Sequence, residues 1–296
     1  MLAALDIYSV LLFVALGSLA GFLGGLIGIG GGFVLVPGFY YAFARMGIAP
    51  GHELTLALGT AMAGILFAAS GAARAHARNG AVRGDMVRSL APWAAAGAMA
   101  GASMATILDA SVVKFAFAAF CLFSASRWLF VKPREEPQRV TIDPAEPAFV
   151  GPMPQEVKRR NQAPGMLFGT ICGLIGVGGA NLFVPFLMTR KMGTRQAMAT
   201  ASALQIPIAI AGALAYMALG WAVDNAPGTL GFIYVPALLA AGAASFLAAP
   251  LGARLSRVMP VPALRKTFGL ITAVIGLKMA GAFAYLASVF KVTPWF

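Results

Sequence analysis

Apolar stretches of bilayer-crossing length, uncharged or nearly so, recur along this chain at 54–73, 86–108, 112–131, 197–221, 230–253 and 267–290. Hydrocarbon offers no partner to a bare peptide group, so such stretches cross as helices that satisfy their own backbone, each needing about 20 residues. Composition agrees. Of the 296 residues 59% are hydrophobic and only 11% charged, with a mean hydropathy of +0.82, whereas a soluble domain carries roughly 25% charge. The fold class expected is an all-α polytopic membrane protein with the lipid bilayer as its first partner.

Two further apolar stretches, 7–44 and 164–189, carry no Asp, Glu, Lys or Arg until Arg45 and Arg190, but glycine clusters interrupt them. Aligning the chain with itself explains the clusters. GFLGGLIGIGGGFVLVP at 21–37 matches GTICGLIGVGGANLFVP at 169–185, with glycines, the Leu-Ile pair, a valine and the final proline in register. Further along, Ala57 to Thr60 corresponds to Ala199 to Ser202, and Lys114 to Arg127 corresponds to Arg265 to Lys278 with equal spacing. The chain therefore reads as a first repeat over 1–131, a linker over 132–163 and a second repeat over 164–296. The linker holds Pro133, Pro137, Pro144, Pro147, Pro152 and Pro154 and half of the acidic residues, a composition that favours solvated chain.

The net charge of +12 would suit a nucleic-acid partner if it formed one patch, but it is dispersed through short loops, so no nucleic acid is expected. It reports orientation instead, because short basic loops stay on the cytoplasmic side. Arg74, Arg78, Arg83 and Arg88 flank one loop. Lys132, Arg134, Arg139, Lys158, Arg159 and Arg160 lie in or beside the linker, Arg190, Lys191 and Arg195 cluster together, and Arg254, Arg257, Arg265 and Lys266 flank another loop. The remaining boundaries carry only Arg45, Lys114 and Lys291. The linker and the segment 190–196 both come out cytoplasmic, so 164–189 must go in and return, as a re-entrant hairpin bent at its glycines. The first copy is expected to do likewise from the opposite face. One hairpin plus three crossings is an odd number of crossings, which makes the second repeat inverted relative to the first. Residues 7–27 are also long enough to cross alone. With Asp6 and no basic n-region before them, they read as mature structure rather than a cleaved signal.

The spacing Gly25, Gly28, Gly30, Gly31 and its second copy Gly173, Gly176, Gly178, Gly179 superficially matches a dinucleotide fingerprint. It lacks the preceding strand and the later acid that such a site needs. Two readings remain. Small residues at spacing four let membrane helices approach closely, which suits Gly21 and Gly25. The run Gly30, Gly31, Gly32 favours an unwound backbone instead, at about 1 kcal/mol of helix propensity per glycine. A break of that kind leaves N–H groups free and points the positive end of the next half-helix, near Phe33 or Asn181, at its occupant. An anion fits that field.

Lys278 lies within an apolar span, where insertion costs about 2.5 to 3.5 kcal/mol, and no Asp or Glu sits deep in any span to offset it. Its repeat mate Arg127 lies closer to a span end and could snorkel. Thr60, Ser202, Gln205 and Asn181 add uncharged donors, although hydroxyls in membrane helices often bond their own backbone. The candidate substrate-binding residues are thus Gly28, Gly30, Gly31, Gly32, Thr60, Arg127, Gly176, Gly178, Gly179, Asn181, Ser202, Gln205 and Lys278, with no metal site and no cofactor. Cys121, Cys172, His52 and His76 lack zinc-ligand spacing. No HExxH motif, buried carboxylate pair or Ser, His and Asp set supports an enzyme.

At its paired glycine motifs, each followed by proline, the chain resembles the sulfite exporter TauE/SafE family of membrane transporters. The resemblance implies two related halves, a small sulfur-containing anion such as sulfite or an organosulfonate like sulfoacetate as substrate, and export across a bacterial inner membrane. The second copy departs by having Ala180 and Asn181 where the first has Gly32 and Phe33, which makes the two ends of a shared pocket unequal. A homodimer is compatible with the analogy. The alternative function is a cation-coupled importer of a small anion or other small solute.

Overall fold

The computed structural model describes residues 6–27, 31–77, 82–130, 155–190, 192–223, 226–255 and 261–281. It is almost wholly helical. The helices are α1 (Ile7–Ile27), α2 (Gly32–Met46), α3 (Glu53–Ala77), α4 (Gly84–Ile107), α5 (Ala110–Phe130), α6 (Gln155–Ile175), α7 (Ala180–Thr189), α8 (Thr194–Leu219), α9 (Val235–Leu255) and α10 (Val261–Met279). Two-residue strands β1 (Thr229–Leu230) and β2 (Ile233–Tyr234) form a small antiparallel hairpin before α9. Among the described residues, six helices have stretches long and apolar enough to cross a membrane, at Ile7–Leu26, Glu53–Gly71, Gly84–Ile107, Ala110–Phe130, Gln196–Leu219 and Val235–Leu255. Large apolar side chains such as Tyr8, Phe115, Leu247 and Leu270 stand exposed on the outside, as a lipid-facing surface requires.

The stretches expected at 54–73, 86–108, 112–131 and 197–221 fall on α3, α4, α5 and α8, and the one at 230–253 falls on α9 from Val235 onward, its first residues forming the β1–β2 hairpin. Two places differ from the expectation. Residues 7–27 form one 21-residue helix, long enough to cross alone because its glycine cluster begins only at its end. The stretch 267–290 is helical as far as Met279, and its remainder lies outside the described residues, as does most of the linker.

Each glycine cluster turns the chain back on itself. Phe13 of α1 meets Phe39 and Phe43 of α2, with ring centroids 6.0 and 6.2 Å apart. In the second copy Phe168 of α6 meets Phe183 and Phe186 of α7 at 5.3 and 5.7 Å. The returning arms are short, 15 residues for α2 and 10 for α7.

Neither hairpin packs mainly within its own half. Gly17, Gly21 and Gly25 of α1 press on Ala241, Ser245 and Ala249 of α9 in the same order, so these helices run parallel, and the Ser245 hydroxyl donates to the Gly17 carbonyl at 2.7 Å. Along α6, Gly169 and Gly173 press on Ala94 and Ala98 of α4, while Gly97 and Gly101 of α4 press on Met166 and Thr170, again parallel. The small-residue reading is therefore correct for the first half of each motif: an added Cβ at any of these glycines would collide with the partner's backbone. At the centre, α3 and α8 run antiparallel, with Gly59 against Tyr216 and Gly212 against Met62. At one side α5 and α10 also run antiparallel, with Gly269 against Leu129 and Gly276 against Cys121.

Candidate functional site

The second half of each motif does something other than pack helix on helix. Gly31 adopts the left-handed region at φ 66° and starts α2; Gly179 does the same for α7 at φ 83°. A side chain resists that conformation and glycine does not. In α2 the N–H groups of Val34 and Leu35 both donate to the Gly31 carbonyl, at 2.9 and 3.1 Å, and in α7 those of Leu182 and Phe183 donate to the Gly179 carbonyl, at 2.9 and 3.0 Å. The N–H groups of Gly32 and Phe33, and of Ala180 and Asn181, lie ahead of that ladder, and the N-cap residue of each helix, a glycine, supplies no side-chain cap. Soluble helices usually meet such orphan donors with a Ser, Thr, Asp or Asn cap. Here both starts are enclosed: Gly32, Phe33 and Ala180 are buried.

The two breaks abut. A Cβ on Gly32 would lie 2.8 Å from the Gly176 carbonyl oxygen and 2.9 Å from the Val177 Cα. Gly176 itself sits at φ 69°, pressed by Leu58 of α3 and Val36 of α2, and Gly178 lies against the side-chain amide of Gln205 on α8. Cys172 packs its sulfur against Gly179. Pro37 and Pro185 lie inside α2 and α7. Lacking an N–H, each leaves the carbonyl four residues earlier, Phe33 or Asn181, without its helical donor.

Not every expected residue gathers here. Thr60 and Ser202 are fully enclosed, but their hydroxyls donate to their own helices, to the Leu56 carbonyl at 2.7 Å and the Met198 carbonyl at 2.9 Å. Thr60 also accepts the Tyr234 N–H at 3.0 Å, which ties the β2 strand to α3. Both hydroxyls are left with lone pairs rather than protons to offer. Lys278 is exposed in the last turn of α10, with its ammonium 4.7 Å from the centre of the Tyr41 ring. Tyr41 is nine residues beyond Gly32, about 13 Å along α2. Beside it Tyr40 accepts a hydrogen bond from Lys114 of α5, so both lysines cluster at the C-terminal end of α2. Arg127 is half-buried, 5.9 Å from the Phe123 ring. Gly28 and Gly30 lie outside the described residues.

Several participants were not legible beforehand. The Trp128 indole N–H donates to Asn181 Oδ1 at 3.2 Å, and Trp128 packs edge-on against Phe268. Phe33, the repeat mate of Asn181, stacks on Phe120 and meets Phe268 edge-on. The Tyr216 hydroxyl donates to the Gly173 carbonyl at 2.8 Å, at the last turn before the second break. A helical face of aromatics reads as core in a sequence, so the spacing gave these residues no distinguishing signal.

The family model described as Sulfite exporter TauE/SafE matches residues 13–279, a range that takes in both hairpins and α3–α5 and α8–α10. The chain belongs to the sulfite exporter TauE/SafE family. It is 30% identical over 91% of its length to a probable membrane transporter protein of Haemophilus influenzae, covering 97% of that protein. It is 23% identical over 85% of its length to the probable membrane transporter protein YdhB of Bacillus subtilis, covering 95% of it. A probable membrane transporter protein MamO of Paramagnetospirillum magneticum is 25% identical over 90% of this chain, which corresponds to 44% of that longer protein. No solved structure matches. This TauE/SafE member is thus a multi-pass membrane transporter, and its two abutting helix starts are the natural place to look for a substrate.

Proposed function

We propose that this TauE/SafE protein is a secondary transporter that exports a small sulfur-containing anion, sulfite or an organosulfonate such as sulfoacetate, by alternating access across a bacterial inner membrane. One observation carries the reading: two uncapped helix N-termini are enclosed at glycine breaks that touch backbone to backbone. A buried N–H without an acceptor costs about 1 to 3 kcal/mol, and each helix start presents about half a positive charge. An anion between them answers both costs. The residues proposed to hold it are Gly31, Gly32, Gly176, Gly178, Gly179, Asn181 and Gln205; Gly28 and Gly30, outside the described residues, are proposed with them from the sequence motif alone. Thr60 and Ser202 brace the supporting helices α3 and α8. Lys278 and Arg127 add positive field around the path rather than direct contacts.

Alternating access fits two inverted repeats, and reciprocal packing supports that arrangement. Hairpin helix α1 lies parallel to α9 of the other half, as α6 lies parallel to α4, while α3 with α8 and α5 with α10 run antiparallel. These are the relations expected when the second half repeats the first upside down. Re-entrant tips and a cytoplasmic linker belong to the same proposal. A monovalent anion leaving a negative-inside cell gains about 2.3 kcal/mol per 100 mV, so potential alone can drive export.

The carbonyls of Phe33 and Asn181, deprived of donors by Pro37 and Pro185, favour a second reading in which a sodium ion couples to import. Flux measured in proteoliposomes at a clamped potential, comparing sulfite, sulfoacetate, sulfate and chloride with and without a sodium gradient, decides between them. Export predicts saturable sulfite or sulfoacetate flux that follows the potential and ignores sodium. Flux that requires sodium favours the importer, and equal passage of all four anions rejects a selective site.

A further inference from the structure

We infer that Trp128 is a positioning residue that fixes the side-chain amide of Asn181 so that its NH2 group, and not its oxygen, faces the transported anion. This rests on the anion reading above and deepens it by naming what sets specificity at one end of the site.

The chemistry of the contact leaves one orientation. An indole N–H donates and never accepts, so the atom of Asn181 lying 3.2 Å from Trp128 Nε1 must be Oδ1. The amide is planar, and with its oxygen turned to α5 its nitrogen is turned the other way. That nitrogen is enclosed and meets no acceptor among the described residues. Without the indole, the amide could rotate and present oxygen instead, which repels an anion.

Asn181 is the second residue of α7, in the turn whose backbone N–H groups lack a cap. The side-chain donor therefore joins backbone donors of the same turn, and the one acceptor it carries is already taken by Trp128. A group that only accepts, such as a deprotonated sulfur oxyanion, matches this set. The other end is different. Phe33 takes the corresponding position in α2 and offers an aromatic ring, stacked 5.8 Å from Phe120. Phe268 touches both ends, 5.7 Å from Phe33 and 5.5 Å from Trp128. The indole is held by this packing, so its hold on Asn181 is built in before substrate arrives.

The test is a double-mutant cycle with the full chain in proteoliposomes, using sulfite and sulfoacetate as probes and reading half-saturation and maximal rate separately. Trp128→Phe keeps the ring packing and removes the donor. It should raise half-saturation about tenfold, the loss expected when one hydrogen bond to an anion goes, and leave the maximal rate nearly unchanged. Asn181→Ala should do the same, and Trp128→Phe should add nothing in the Asn181→Ala background, because Trp128 acts only through Asn181. Asn181→Asp keeps the acceptor for the indole and replaces the NH2 by a second oxygen, so it should remove binding of both probes while the melting temperature holds.

Additive losses in the double variant, an unchanged half-saturation in Trp128→Phe, or normal binding in Asn181→Asp would each overturn the inference while leaving the anion reading intact. If Trp128→Phe fails to fold, the Asn181→Asp result alone decides it. A wild-type protein that moves neither probe overturns both.

Discussion

Gly32 has room for a hydrogen atom and little more. The first carbon of any side chain there would meet the Gly176 oxygen at 2.8 Å, and the obstacle is backbone rather than a side chain that could swing aside. Overpacking of this kind costs about 1 to 3 kcal/mol, and here it would also force apart the two helix starts. Gly32→Ala should therefore abolish flux and lower the melting temperature in detergent. Gly193→Ala, where nothing lies within 4 Å of the added carbon, should change neither. Preserved flux in Gly32→Ala would argue that the contact between the breaks has no part in transport. The sequence pointed to Gly32 as part of an unwound run and to Gly21 as a packing glycine, but could not say that Gly32 would meet Gly176 or that Gly21 would meet Ser245 of α9. It marked Lys278 because a charge in an apolar span is conspicuous. It passed over Trp128, because nothing in a sequence tells which indole will find an amide oxygen on another helix.

Between elements, the seams α1 with α9 and α4 with α6 are built around glycine, alanine and serine, which let the backbones touch. Lipid tails are as apolar as leucine, so helices in a bilayer associate through close packing and hydrogen bonds rather than by escaping solvent. The seams are where that closeness is achieved, and each ties a hairpin to the opposite half of the chain. Gly97→Leu would wedge α4 away from the Met166 carbonyl of α6; it should lower the yield of monodisperse protein and the melting temperature by several degrees. Gly84→Ala, at an open position on the same helix, serves as the control, and equal stability of the two variants would contradict the seam. Glycines at spacing four said that a close neighbour existed. They did not name it, since any small-faced helix would serve. The span boundaries were legible because lipid imposes length directly, and α1 departed from the hairpin expectation only in being long enough to cross.

For the molecule as a whole, the proposed orientation puts the linker inside and the turn after α2 outside. Cysteines introduced at Gln138 and Gly51 test it against one background, because the native thiols Cys121 and Cys172 are buried. An impermeant thiol reagent added to intact cells should label the Gly51 variant and spare the Gln138 variant until the membrane is opened. The reverse pattern would overturn the orientation. By itself the sequence determined that this chain lives in a membrane, that one glycine motif occurs in it twice, and where its helices are interrupted. Those are properties of local composition, which hydrocarbon and glycine read residue by residue. Which breaks meet, which helix supplies a glycine's partner, and which way the Asn181 amide faces were decided only by tertiary packing. They depend on residues far apart in the chain arriving at the same place, and no local rule specifies that.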